Sequence, residues 1–139
     1  MPLGPSIPAL PMSDTAATTI FYRDRLKFTV EHSEDSFLIV RRDACVIHLW
    51  LADDSRWRDR ADFVSAPIRS GAEDFLAGTA SCRVEVSDGA SLDALFAEMT
   101  EADVLHRVSR SGVATTDYGM REVHVSDSDG NLLTFFCRI

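Results

Sequence analysis

Four histidines (His32, His48, His106, His124) and three cysteines (Cys45, Cys82, Cys137) are the side chains in this chain best suited to holding a metal or passing a proton. Their spacing does not make a ready-made centre. The histidines are spread along the chain, and no His pair has the HExxH spacing that puts two imidazoles on one helix face. The cysteines form no CxxC pair and are odd in number. Each lies in an apolar, strand-like stretch, the setting of a buried reduced thiol. No Gly-x-Ser-x-Gly elbow, phosphate-cradling glycine loop or His beside a nucleophile is present. The chemistry to look for is therefore recognition by polar and aromatic groups on a shared surface.

Twenty-two acidic against 14 basic residues give a net charge of −8. That excess argues against nucleic acid, which needs a cationic face, and suits a cationic small molecule. No apolar run reaches the ~20 residues of a membrane span. The first 11 residues have no basic group ahead of their apolar ones, so no signal peptide is expected and a cytoplasmic location follows.

The elements that must position any site read as one unit written twice. In the first, an apolar stretch over residues 7–12 ends in Ser13-Asp14, either of which can cap a helix over about 15–26. Ala17, Ile20 and Phe21 supply its expected buried stripe. Strand-like runs follow over about 29–32, 37–42 and 45–51, with a tight turn at Arg42-Asp43-Ala44. In the second, residues 82–86 alternate apolar and polar and end in Ser87-Asp88, 74 residues after Ser13-Asp14. Leu92, Leu95, Phe96 and Met99 then recur at helical spacing. Strands are expected over 105–109, 121–125 and 132–137, with turn chemistry in Asp127-Ser128-Asp129-Gly130-Asn131. The pattern predicts an α+β fold in a single domain, residues 1–139: two βαβββ modules (about 5–52 and 79–139) whose curved mixed sheets surround a cleft. Residues 53–78, which carry Trp57, are expected to form a linker and lid.

Strand alternation assigns candidate site residues. Val84 and Val86 face the helix, leaving Arg83 and Glu85 on the cleft. Val123 and Val125 likewise leave Glu122 and His124 there. His48 aligns with Val46 and Trp50. Phe21, Phe28, Phe96 and Phe135 are expected in the core. Charged pairs on a sheet face are equally what an ordinary surface shows.

Two stretches carry a family resemblance. Ser13-Asp14 with Phe21-Tyr22-Arg23-Asp24-Arg25-Leu26-Lys27-Phe28 resembles the D…FYxxxLGF opening of the vicinal-oxygen-chelate superfamily. Tyr118-Gly119-Met120-Arg121-Glu122-Val123 with Asp127-Ser128-Asp129-Gly130-Asn131 resembles its YGxREF…DPDGN ending. Lys27 stands where that family usually has glycine, and Ser128 where it has proline. The superfamily holds glyoxalase I, extradiol dioxygenases and fosfomycin-resistance enzymes, which need a divalent metal, and bleomycin-resistance proteins, which do not.

The resemblance locates the metal-ligand positions at Ile7, Ser81 and Thr134 and at about His48. Only His48 can bind a metal, and a catalytic site needs about three protein ligands. An offset site would have to use Glu122 and His124. No metal or other cofactor is expected, and the resemblance points to a bleomycin-resistance protein: a homodimer that traps a large cationic glycopeptide with flat heteroaromatic rings in an interface cleft. Tyr118 and Phe37 occupy places where that family offers aromatics to the drug. Trp50 and Trp57 are further stacking candidates from their own positions. Glu34, Asp35, Glu85 and Glu122 are candidates to neutralise a cationic tail. The alternatives are a metal-dependent glyoxalase- or dioxygenase-like enzyme with an atypical site, or a binder of an unrelated metabolite.

Overall fold

The computed structural model describes residues 1–52, 72 and 75–139, so most of the expected linker and lid, Trp57 included, lies outside the described residues. The first module comprises β1 (Ala9–Met12), α1 (Thr15–Ile20), β2 (Thr29–Ser33), β3 (Phe37–Arg42) and β4 (Cys45–Leu51). The second comprises β5 (Ser81–Glu85), α2 (Gly89–Glu101), β6 (Ala114–Thr115), β7 (Met120–Ser126) and β8 (Leu132–Arg138). Each module forms a four-stranded mixed sheet, in the orders β1-β4-β3-β2 and β5-β8-β7-β6. In both, the first strand runs parallel to the last and the rest of the sheet is antiparallel. The expected α+β architecture of two βαβββ units is what the chain adopts.

Helices α1 and α2 each start on an aspartate. Asp14 accepts from the Ala17 N–H at 2.9 Å and Asp88 from the Ser91 N–H at 2.7 Å, each satisfying a donor that the first helical turn leaves open. Ser13, the other candidate cap, instead turns to Asp129 of the second module.

Two expectations need correction. Helix α1 keeps α geometry only to Ile20 and then widens into a π-helical turn, Phe21–Arg25, with the Leu26 N–H reaching the Phe21 carbonyl at 3.2 Å. The buried stripe of the helix is also set differently from the expected one, at i, i+3, i+4 and i+8 from Thr18. Thr18, Phe21, Tyr22 and Leu26 are buried, while Ala17 is exposed and Ile20 is 53% exposed. The second correction concerns residues 105–109, which do not form a strand. Leu105 makes one isolated bridge to Val125, and Arg107–Ser109 form a 3-10 turn. There the His106 ring accepts from the Val108 N–H at 3.3 Å and the His106 carbonyl from the Ser109 N–H at 2.9 Å. These local bonds compete with a ladder, and the edge strand forms later, at Ala114–Thr115.

Buried residues of both modules form one core. It includes Leu38, Val40, Ile47 and Leu49 from one sheet and Val123, Val125, Leu133 and Phe135 from the other. The Asp127–Asn131 turn does more than reverse the chain. Its buried Asn131 side chain donates to the Pro11 carbonyl at 2.8 Å and accepts from the Gly78 N–H at 3.0 Å. Gly78 has φ +81°, and a Cβ there would stand 2.4 Å from the Asp129 carbonyl oxygen, so the close approach requires glycine. Arg42 of β3 adds a bidentate pair to Glu98 of α2, at 2.8 Å for each bond.

Candidate ligand-binding faces

Strand pleating sends alternate side chains to opposite faces. On β3 and β4, Leu38, Val40, Ile47 and Leu49 enter the core. Phe37, Ile39, His48 and Trp50 are thereby left half-buried on the other face. Phe37 lies opposite Trp50 in the ladder and Ile39 opposite His48. The Phe37 and Trp50 rings are 4.4 Å apart, tilted by 37°, and His48 meets Phe37 edge-on at 5.2 Å. His32 extends the row, 5.8 Å from Phe37 and bonded to Glu34 at 2.8 Å. The result is a continuous aromatic panel open on one side.

The second module presents a polar panel. Glu122 and His124 of β7 and Arg83 of β5 share the face opposite α2 with Thr134 and Phe136 of β8. The Glu122 Oε1 accepts from Arg83 at 2.5 Å and from the Tyr118 hydroxyl at 2.9 Å, and the His124 Nε2 is 3.6 Å from Oε2. The other ring nitrogen of His124 bonds the Thr134 hydroxyl at 3.0 Å. The Arg83 guanidinium lies over the Phe136 ring, 4.7 Å from its centre. Burial pushes the Glu122 carboxyl up, but bonds from Arg83 and Tyr118 outweigh it and hold the group below its ordinary range. The same bond to Glu122 raises the Tyr118 phenol.

The structure thus brings Phe37, His48 and Trp50 together on one panel and Arg83, Tyr118, Glu122 and His124 on another. Glu85 stands apart, paired with Arg138 at 3.0 Å on the exposed end of the second sheet. Glu34 and Asp35 are exposed at the β2–β3 turn. Phe136 and Ile39 were not singled out from the sequence, and His32 only as one of four dispersed histidines. Phe136 follows Thr134 at strand period and could have been found that way, whereas His32 joins its row through an irregularity in the β2–β3 ladder after Val30.

The expected cleft between the modules takes a different form within one chain. Among the described residues, no hydrogen bond, ion pair or ring contact joins the two panels. The side-chain ties between modules run instead through Ser13–Asp129, Tyr22–Asp127, Asn131–Pro11, Arg42–Glu98 and Arg25–Ala102. An open groove of about 740 Å³ does separate the modules, lined by Phe28, Cys45, Val84, Leu95 and Phe135, but it touches only Arg83 and Glu85 of the candidates. The panels cannot converge because the helical and core sides of the modules are what pack together.

The strand register also tests the metal reading. Arg83, Thr134 and His124 stand side by side across β5, β8 and β7, and Ala9, His48 and Ile39 across β1, β4 and β3. The residues opposite the last-strand positions are thus Ala9 and Arg83 rather than Ile7 and Ser81. Among the described residues no three His, Cys, Asp or Glu side chains come together as a metal-holding group. Glu122 is already held by a guanidinium, and beside it His124 alone is of a metal-ligand type, short of the about three protein ligands a catalytic divalent site needs, so these residues do not fit the metal of the superfamily's enzymes. Cys45 and Cys82 are half-buried thiols raised by burial, Cys82 to about 12, which leaves them protonated and unreactive near neutrality. Among the described residues, no helix is long and apolar enough to cross a membrane.

No family model matches the chain. Its fold is shared with a lactoylglutathione lyase from Agrobacterium tumefaciens (TM-score 0.71, 18% identity, 98% of this chain and 94% of that one). It is shared equally with the bleomycin-binding protein of bleomycin-producing Streptomyces verticillus, solved with copper(II)-bleomycin (TM-score 0.68, 23% identity, 97% and 96% covered). Paired βαβββ modules of this kind define a glyoxalase/bleomycin-resistance/dioxygenase-type domain. Over 134 residues, 96% of either chain, the sequence is 40% identical to bleomycin resistance proteins of Geobacillus stearothermophilus and Staphylococcus aureus. The chain belongs to the bleomycin resistance protein family.

Proposed function

We propose that this protein binds a bleomycin-type glycopeptide in the cytoplasm and protects by sequestration, without a metal of its own and without turnover. The observation that carries the reading is the Phe37–Trp50–His48 panel, a set of half-buried rings on an open sheet face in a chain 40% identical to bleomycin resistance proteins. Flat heteroaromatic rings stack on such a surface, and the net charge of −8 attracts a cationic ligand.

The site is completed in a homodimer, where the aromatic panel of one subunit faces the Arg83–Tyr118–Glu122–His124 panel of its partner. The core-side packing of the two modules supports this arrangement, because it turns both panels outward in one chain. Trp57 is a further stacking residue and Glu85 a rim charge in the same reading. Protection by trapping requires tight binding rather than catalysis; a nanomolar complex corresponds to about −12 kcal/mol.

Calorimetric titration of metal-stripped protein with bleomycin, then with copper(II)-bleomycin, tests the proposal alongside light scattering for mass. Submicromolar binding at one site per subunit of a dimer is the expected result. Absence of heat with both forms, or a monomer that binds as tightly, overturns it.

A further inference from the structure

Glu122 is unusual among the charged residues of the second panel. It is only 4% exposed, whereas the two groups it holds reach into solvent: Tyr118 is 61% exposed and the Arg83 side chain 48%. A carboxylate buried on a sheet face is tolerated only when it is paired, and here one oxygen accepts both the phenol and the guanidinium. His124 flanks the second oxygen at 3.6 Å and is itself tied to Thr134. In the strand register Glu122 stands between Ala114 and Phe136. Phe136 supports the guanidinium from below.

We propose that Glu122 is the positioning residue of this panel: its buried carboxylate holds Tyr118 and Arg83 in the orientations in which their exposed edges meet a ligand. The inference rests on the ligand-binding reading and deepens it. Long, exposed side chains lose rotamer freedom when a ligand arrives, and that loss weakens binding. Anchoring both to one fixed carboxylate orders them beforehand. Because Glu122 is almost inaccessible, it acts through Tyr118 and Arg83 rather than by contact.

The test compares Glu122→Gln, Tyr118→Phe and the double variant in the full-length protein, by bleomycin titration and by phenolate absorbance as pH is raised. The chain has two tyrosines. Tyr22 is fully buried, which pushes its phenol well above the ordinary range, whereas Tyr118 is exposed, so the first phenol to ionise is Tyr118. Glu122→Gln should bring that phenol down towards its ordinary value of 10.0 and weaken bleomycin binding roughly 10- to 100-fold. Tyr118→Phe should weaken binding too, and the double variant should bind no worse than Glu122→Gln alone. A Tyr118 titration unmoved by Glu122→Gln overturns the proposal, as does strict additivity of the two binding losses. A wild-type protein that fails to bind bleomycin removes the drug reading, while the phenol titration still decides whether Glu122 governs Tyr118.

Discussion

The Tyr22 phenol donates to the Asp127 carboxylate at 2.9 Å across 105 positions of sequence, so the two stretches that resemble the superfamily's opening and ending touch each other. Tyr22 is fully buried, edge-on to Phe21 at 6.0 Å and to Phe28 at 5.7 Å. Asp127 also accepts from the Asn131 side chain at 3.0 Å and from the backbone of Asp129 and Asn131. Burial pushes its carboxyl up, opposed by these bonds. Tyr22→Phe keeps the ring and deletes one bond inside this intermodule knot. It should lower stability by about 1–3 kcal/mol, the range for depriving a buried acceptor of a partner. Urea denaturation with an unchanged m-value checks it; a loss within about 0.5 kcal/mol would mean the knot tolerates water.

Phe37→Leu removes the ring that faces Trp50 while leaving a strand-compatible apolar residue. Phe37 is half-buried on the open face, not in the core. Bleomycin affinity should therefore fall roughly tenfold while stability changes by less than about 1 kcal/mol. Calorimetry and urea denaturation on the same preparation separate the two effects. A stability loss without an affinity loss would reassign the ring to packing alone.

Lys27 has φ +60°, in the left-handed region that disfavours residues with a Cβ. Its ammonium offsets part of that strain by donating to the Asp24 carbonyl at 2.6 Å. Lys27→Gly should stabilise the protein by up to about 1 kcal/mol. A thermal melt checks the sign, and a lower midpoint would show that the bond to Asp24 outweighs the strain.

For Glu122, a folded-state pKa below the ordinary 4.5 implies stability that is fully present above that value and lost as pH falls through the folded one. The stability gap between wild type and Glu122→Gln should then be largest near neutrality and shrink below pH 4.5. Urea titrations of both proteins at neutral and acidic pH measure the gap. A gap independent of pH would place its origin in packing.

Much of the architecture was legible because it is periodic. The 74-residue offset between Ser13-Asp14 and Ser87-Asp88 exposed the repeat. Period-two alternation also put Val123 and Val125 inside and Glu122 and His124 on the opposite face. The failures have local causes. The buried stripe of the first helix runs through Thr18, Phe21, Tyr22 and Leu26 rather than Ala17, Ile20 and Phe21, because a threonine gives no apolar signal to set the phase. In the 105–109 stretch, the His106 ring captured a backbone donor and ended strand pairing that the apolar residues alone would favour.

The sequence by itself determined the βαβββ repeat and the sheet faces on which Arg83, Glu122 and His124 lie. Both follow from residue type and from the fixed period of a strand. Tertiary structure alone decided how these faces are used. It seated Tyr118 and Arg83 on one carboxylate of Glu122 and turned Asp127 and Asn131 into an intermodule knot. It also packed the modules through their core sides, leaving both panels facing outward. These outcomes depend on contacts between residues tens of positions apart, whose distances no local pattern encodes.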